Sequence, residues 1–284
     1  MKSLVRLGAV FGIVASTLLV PSLTRNMSAL ALPDQKVLEK LRPVPVFTIT
    51  DAQGAPLTAS VPKQGQSGGN VFVAGVFISQ RDAQAVVERL KTQNPQLAAS
   101  ARVLPVSLGE MYQFSQSSKG KPEEVQLAYV PTSVQVESAK TLLQQGGQKP
   151  NEFSGVPLFY ATGGPENGYI TIKQGQQEAI PLFFNKEDLQ GMLDRFKQQQ
   201  PNIAASIKIE VVNLEGVLEA MRTQDNPLVN NVILMPPRES LEYLRSLQPA
   251  GGNQPQPGPG RTSPAPTPPL PSQSPAPSQP RPSR

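Results

Sequence analysis

Two segments place side chains where they could do proton chemistry: Ser79-x-x-Asp82 and Asn185-x-x-Asp188. A carboxylate three residues after a hydroxyl or amide could serve as a general acid or base, and a Ser-Lys pair could supply a nucleophile. The rest of the inventory narrows the choice sharply. The 284 residues contain no His, no Cys and no Trp. No Ser-His-Asp or Cys-His nucleophile can be built, no zinc site of the usual ligands, no disulfide and no thiol redox centre. Carboxylates, Lys, Tyr, Ser and oxygen-ligand metals remain.

Each of these motifs also has a structural explanation. Ser79 and Asn185 read as helix caps, and the acid three positions on favours the positive helix N-terminus. Ser107 and Asn213 likewise read as N-caps. Arg89, Lys91, Arg195 and Lys197 fit solvated helix faces. The Gly146-Gly147 and Gly163-Gly164 pairs lack the strand–glycine–helix context of a phosphate loop and read as turns. The acids are scattered, with no dense Asp/Asn/Gly calcium loop. The chain therefore reads as a non-enzyme, with no catalytic, cofactor-binding or metal site.

Apolar chemistry is the better prospect. Phe47, Phe77, Phe159, Phe183 and Phe184 lie in short segments that strand propensity alone would not make so aromatic. A surface that holds polypeptide clients needs exposed apolar area, which ordinary monomers seldom display in quantity. These five are the polypeptide-binding candidates; the alternative is that they fill the core. An extended client could also add to a sheet edge.

The elements that carry these residues occur twice. Shifted by 106 positions, Val76–Tyr112 falls without a gap on Leu182–Leu218, with 12 of 37 positions identical. Val44-Pro45-Val46-Phe47 recurs as Val156-Pro157-Leu158-Phe159. Two units, residues 44–145 and 156–248, are thus expected from internal duplication, packed with pseudo-two-fold symmetry as in a fused homodimer. Each unit reads as strand, turn, second strand (clearest over Tyr169–Lys173), a buried strand, helix, strand, helix, strand ended by proline, and helix. Ala83, Val86, Val87 and Leu90 take the i, i+3, i+4, i+7 positions of the first long helix, as do Leu189, Met192, Leu193 and Phe196 in the second unit. Pro95 and Pro201 end those helices. The expected fold class is α+β, with mixed α/β sheets.

The ends read differently. Residues 1–31 resemble a secretory signal: Lys2 and Arg6 precede an uncharged apolar stretch from Leu7 to Val20, and Ala29-Leu30-Ala31 offers a small-x-small cleavage site. The apolar run is shorter than the roughly 20 residues that span a bilayer, and Pro21 closes it. No stable membrane span is expected after cleavage. Residues 249–284 hold 13 prolines in 36 positions and read as a disordered tail with polyproline II character. The formal net charge of +5 is concentrated in these two ends, each with three basic residues and no acid, so residues 32–248 carry −1. Nucleic acid is accordingly not an expected partner.

Val44-Pro45-Val46-Phe47, Gly75-Val76-Phe77, Gly155-Val156-Pro157-Leu158-Phe159, and Ile180-Pro181-Leu182-Phe183-Phe184 running into Lys186-Glu187-Asp188-Leu189 together resemble the Tic-twenty-two-like family. That family is named for a subunit of the translocon at the inner envelope membrane of chloroplasts. The resemblance covers roughly residues 40–248. It implies a soluble protein between two envelope membranes, binding precursor or outer-membrane polypeptides in apolar pockets, with outer-membrane assembly or translocon components as further partners. The signal-like start and the Pro-rich tail favour a cyanobacterial periplasmic member, the periplasm being equivalent to the plastid intermembrane space. The expected function is a chaperone-like factor in protein transport and outer-membrane biogenesis. An envelope scaffold that uses the tail as a tether is the alternative, and a carboxylate or Ser-Lys hydrolase is the remote one.

Overall fold

The structure, a computed structural model, describes residues 34–62, 70–224 and 226–247. The signal-like segment 1–31 and the Pro-rich tail 249–284 lie outside the described residues.

The first half opens with helix α1 (Asp34–Leu41), then strands β1 (Pro45–Thr50), β2 (Thr58–Pro62) and β3 (Asn70–Phe77). Helices α2 (Gln80–Gln93) and α3 (Pro95–Ser100) lead to β4 (Arg102–Ser107), α4 (Leu108–Ser118), β5 (Val125–Val130) and α5 (Ser133–Gln145). The second half holds β6 (Pro157–Gly163), β7 (Gly168–Tyr169), β8 (Ile172–Gln174) and β9 (Gln177–Phe183). It continues through α6 (Lys186–Gln199), β10 (Lys208–Asn213), α7 (Leu214–Thr223), the short α8 (Pro227–Asn230), β11 (Val232–Met235) and α9 (Arg238–Leu247). The fold is α+β with two mixed sheets.

The halves share one pairing scheme. β1 lies antiparallel to β4 and β3, and β3 runs parallel to β5. In the same way β6 lies antiparallel to β10 and β9, and β9 runs parallel to β11. The single register pair joining β1 to β3 is Phe47 opposite Phe77, and its counterpart is Phe159 opposite Phe183. The hairpin strand expected over Tyr169–Lys173 is broken in two, because Gly168–Tyr169 pairs with β6 whereas Ile172–Gln174 pairs with β9.

Strand alternation gives each sheet two apolar faces. Val46, Ala74, Val76, Leu158, Ile180 and Leu182 enter a central core shared by both sheets, closed by Val37 and Leu41 of α1, Leu108 of α4 and Leu214 of α7. Phe47, Ile49 and Phe77 point the other way, beneath Ala83 and Val87 of α2; Phe159, Ala161 and Phe183 lie beneath Leu189 and Leu193 of α6.

The last helix of each half crosses over. Ala139 of α5 is buried among the outer-face residues of the second sheet, and α5 packs on β6 and β10. Tyr243 of α9 packs among the outer-face residues of the first sheet, its ring edge-on to Phe47 with centroids 5.5 Å apart. Each outer face is therefore covered by one helix of its own half and one from the other.

The exchange also alters helix capping. Ser107 forms a capping box with Glu110, and Asn213 Oδ1 accepts the Gly216 N–H at 3.0 Å, as expected. Ser79 and Asn185 make no such side-chain bond. At α6 the cap comes from α5: Gln135 Oε1 accepts the Lys186 N–H at 3.0 Å, while its Nε2 donates to Glu187 at 2.7 Å. Asp188, in the first turn of α6, accepts the Arg238 N–H at the start of α9 at 3.3 Å.

Candidate functional site

Phe47, Phe77, Phe159, Phe183 and Phe184 are each no more than 6% exposed. The first four form the two cross-strand pairs under α2 with α9 and under α6 with α5, and Phe184 enters the central core. Aromatic residues at these positions are explained by direct cross-strand packing. In this conformation none of the five rings presents a surface to a client; contact through the four outer-face rings would require a covering helix to leave its sheet, and Phe184 lies in the central core.

An open groove lies elsewhere, on the seam between the halves. Its walls are α4, β5 and α7, and its volume is about 270 Å³. Tyr112, Leu127, Tyr129 and Leu218 supply the apolar floor; Glu215 and the Glu219–Arg222 pair, joined at 2.8 Å, supply the charge. Leu218 and Tyr112 are buried side chains of the shared core, so the groove is cut into the seam itself.

Glu215 is its most constrained group. It stands in the first turn of α7, where an acid favours the helix N-terminus, and its carboxylate accepts the Val156 N–H, with Oε2 at 3.1 Å. Gly155 makes this possible: its φ is +88°, and a Cβ there would collide with the Glu215 carboxylate. Burial pushes the Glu215 carboxyl above its ordinary range, against the opposing pull of hydrogen bonds from its own backbone and from Val156. Burial, followed by the nearby Glu215 and Tyr112, pushes the Tyr129 phenol up as well. A phenol and a carboxyl that resist ionisation suit a site that binds through apolar contact and hydrogen bonds.

A larger depression, of about 460 Å³, lies on the outer face of α5, lined by Ser133, Val134, Glu137, Ser138, Thr141 and Lys186. It is more open, and Val134 at 65% exposure is an isolated apolar side chain there. Among the described residues no group of three or more acids could hold a metal ion. No described helix is long and apolar enough to cross a membrane.

Aromatic content and periodicity did not point to Tyr129, Glu215 or Leu218. A signal was nonetheless present: Glu215 falls on Gly109 under the 106-residue shift, one of the sharpest changes of residue type in the repeat.

Comparison with known proteins identifies the kind of chain this is. A model of the Tic22-like family matches residues 4–245. The chain is 34% identical to Anabaena Tic22, a structure described as protein transport, with a TM-score of 0.66 over 76% of this chain and 98% of that one. Tic22 from Plasmodium falciparum shares the fold, with a TM-score of 0.56 at 22% identity over 74% of this chain and 96% of that one. The Arabidopsis thaliana "Protein TIC 22-like, chloroplastic" is 24% identical over 74% of this chain, which spans 63% of that relative's length. The "Protein TIC 22, chloroplastic" of Pisum sativum is 23% identical over 73% of this chain and 75% of its own. The chain belongs to the Tic22-like family.

Proposed function

We propose that the protein is a transport factor of the cell envelope that holds polypeptide clients in the groove between α4, β5 and α7 during their passage through the periplasm. Membership of the Tic22-like family and the likeness to Anabaena Tic22, a protein-transport structure, support the transport role. The observation that carries the client-binding reading is the groove itself: apolar side chains of both halves floor an open cleft on the seam, with a strand edge along one wall. Apolar contact with hydrogen bonding at a strand edge is a sequence-tolerant way to hold a segment of chain. The client class is outer-membrane or precursor polypeptides, and the compartment is the periplasm or the space equivalent to it.

The test is crosslinking in cells. A photoreactive residue at Gln126, on the groove rim, is compared with one at Val134, on the outer face of α5. Recovery of several outer-membrane precursors from Gln126 and not from Val134 supports the reading. Recovery of one stable envelope protein from both positions would replace it with a scaffold role, and an absence of polypeptide at Gln126 would remove the groove from consideration.

A further inference from the structure

The groove and the seat of α1 are equivalent places in the two halves. α1 rests on α4 and also touches α7 and β11; the groove is walled by α7, α4 and β5, the same set with the halves exchanged. Three local correspondences tie the two places together.

The first is at the strand edge. Lys40 of α1 donates to the carbonyls of Asn230 and Val232, both at 2.8 Å, along the outward edge of β11. Val232 stands opposite Ile180, and Leu127 stands opposite Ala74, 106 positions before Ile180, so Leu127 takes the place of Val232. The Glu124 and Val130 carbonyls accept from the Phe72 and Ile78 N–H groups on the β3 side. Strand alternation then turns the Val125, Leu127 and Tyr129 carbonyls outward. Val125, in the place of Asn230, already accepts from the Ser115 hydroxyl at 2.8 Å, and the Leu127 carbonyl, in the place of Val232, faces the groove.

The second is at the entry to the opening strand. The Val44 N–H donates to the carbonyl of Leu41, the last residue of α1, at 3.1 Å. Its counterpart, the Val156 N–H, donates to the Glu215 carboxylate instead.

The third is at the helix contact. A Cβ on Gly109 would lie 3.1 Å from Arg42 N and 3.2 Å from Leu38 O, so glycine is what lets α1 approach α4. The equivalent position on α7 is Glu215. One side chain therefore occupies both the space and the hydrogen bond that a docked helix would take.

We propose that the groove is a docking site for an amphipathic helix of a client polypeptide, seated as α1 is seated, with Glu215 as a built-in competitor that the helix displaces. The occupant carries two apolar residues four apart, as Val37 and Leu41 are, and a basic residue just before the second, as Lys40 is. The polar rim favours a basic residue at that position: the outward β5 carbonyls accept its N–H groups, and Glu219, shared with Arg222, lines the facing wall. The inference rests on the groove being the client site, and it adds the client's conformation and the means of release.

The probe is a fluorescein-labelled peptide with the sequence of Asp34–Arg42, titrated by anisotropy against the full chain. Glu215→Gly recreates the Gly109-type seat and should tighten binding about tenfold over the unsubstituted protein. Leu127→Arg, at a partly exposed position on the groove floor, should abolish binding in protein shown by circular dichroism to be folded. Replacing the peptide's lysine at the position of Lys40 by glutamine should weaken it several-fold. If glycine at 215 loosens α7, Glu215→Ala makes the same test, with folding checked by circular dichroism. Equal affinity for the unsubstituted, Glu215→Gly and Glu215→Ala proteins, or binding that survives Leu127→Arg, overturns the proposal. Crosslinking from Gln126 separates this from the transport reading. Precursors captured without peptide binding would sink the helical seat alone, whereas peptide binding without captured precursors would sink the client role alone.

Discussion

The N–H of Val156, at the mouth of β6, donates to the carboxylate of Glu215 on α7, 59 residues later, with Oε2 at 3.1 Å. The bond satisfies a backbone donor at the strand entry, at the cost of placing an acid where water is scarce.

That placement makes a pH-dependent prediction. Burial raises the Glu215 pKa in the folded state, so folding favours its protonated form. The stabilisation is fully present below the ordinary glutamate value of 4.5 and is lost as the pH rises through the folded value. Glu215→Gln keeps an acceptor for Val156 and removes the charge. The variant should melt at the same temperature or a few degrees higher at pH 7, since partial solvent access screens the effect, and the difference should vanish below pH 4.5. Thermal melts across that range decide it: a variant less stable than the unsubstituted protein at pH 7, with the deficit gone at pH 4, would show that the charged bond is worth more than its burial costs.

Phe159 is fully buried opposite Phe183. Phe159→Ala should cost about 3–5 kcal/mol, the usual range for truncating a buried phenylalanine, read from urea denaturation. Phe159→Glu would bury an unpaired charge and should fail to fold, so it cannot separate binding from stability. A soluble, cooperatively melting Phe159→Glu protein would mean that the ring is not confined as described.

Tyr243 and Phe47 couple α9 to the first sheet through an edge-on contact. Such pairs add about 0.5–1.5 kcal/mol beyond area burial. A double-mutant cycle with Tyr243→Leu and Phe47→Leu should recover a coupling energy of that order. A coupling of zero would place α9 off the first sheet in solution.

Lys40 is half-buried, and its ammonium bridges the Asn230 and Val232 carbonyls. Lys40→Met keeps the apolar stem and leaves two strand-edge acceptors without this donor, for an expected loss of about 1–3 kcal/mol. Faster hydrogen exchange should appear over α1 and β11 together. If only the N-terminal helix exchanges faster, the two elements are not coupled through this side chain.

Much of the fold was legible in the sequence because its signals are local. Apolar and β-branched runs bounded by turn residues and proline marked Val44–Thr50 and Val125–Val130, the 3.6-residue pattern marked α2 and α6, and Pro95 and Pro201 marked their ends. α1 was not legible: Val37, Leu38 and Leu41 are three apolar residues in a short charged stretch, too few to define a period. The crossing of α5 and α9 was invisible for a different reason. An amphipathic helix records that it has an apolar face, but nothing local records which of two similar sheets receives it. The same limit applied to the candidate site. An excess of phenylalanine serves a docking surface and a cross-strand core equally well until neighbouring helices are placed. Glu215 could have been singled out only by asking where the repeat breaks its own pattern, at Gly109 against Glu215.

The crossing of the last helices bears on how the chain is made. A ribosome finishes β1 through β5 more than a hundred residues before Tyr243 emerges, so Phe47 and Phe77 wait beneath an incomplete roof for nearly half of synthesis. Contacts between such distant residues close late, and the partly built chain carries exposed aromatic surface meanwhile. Neither half can reach its final packing before the other exists. Closure of the core therefore waits for the second half, and a chain interrupted there would itself need holding.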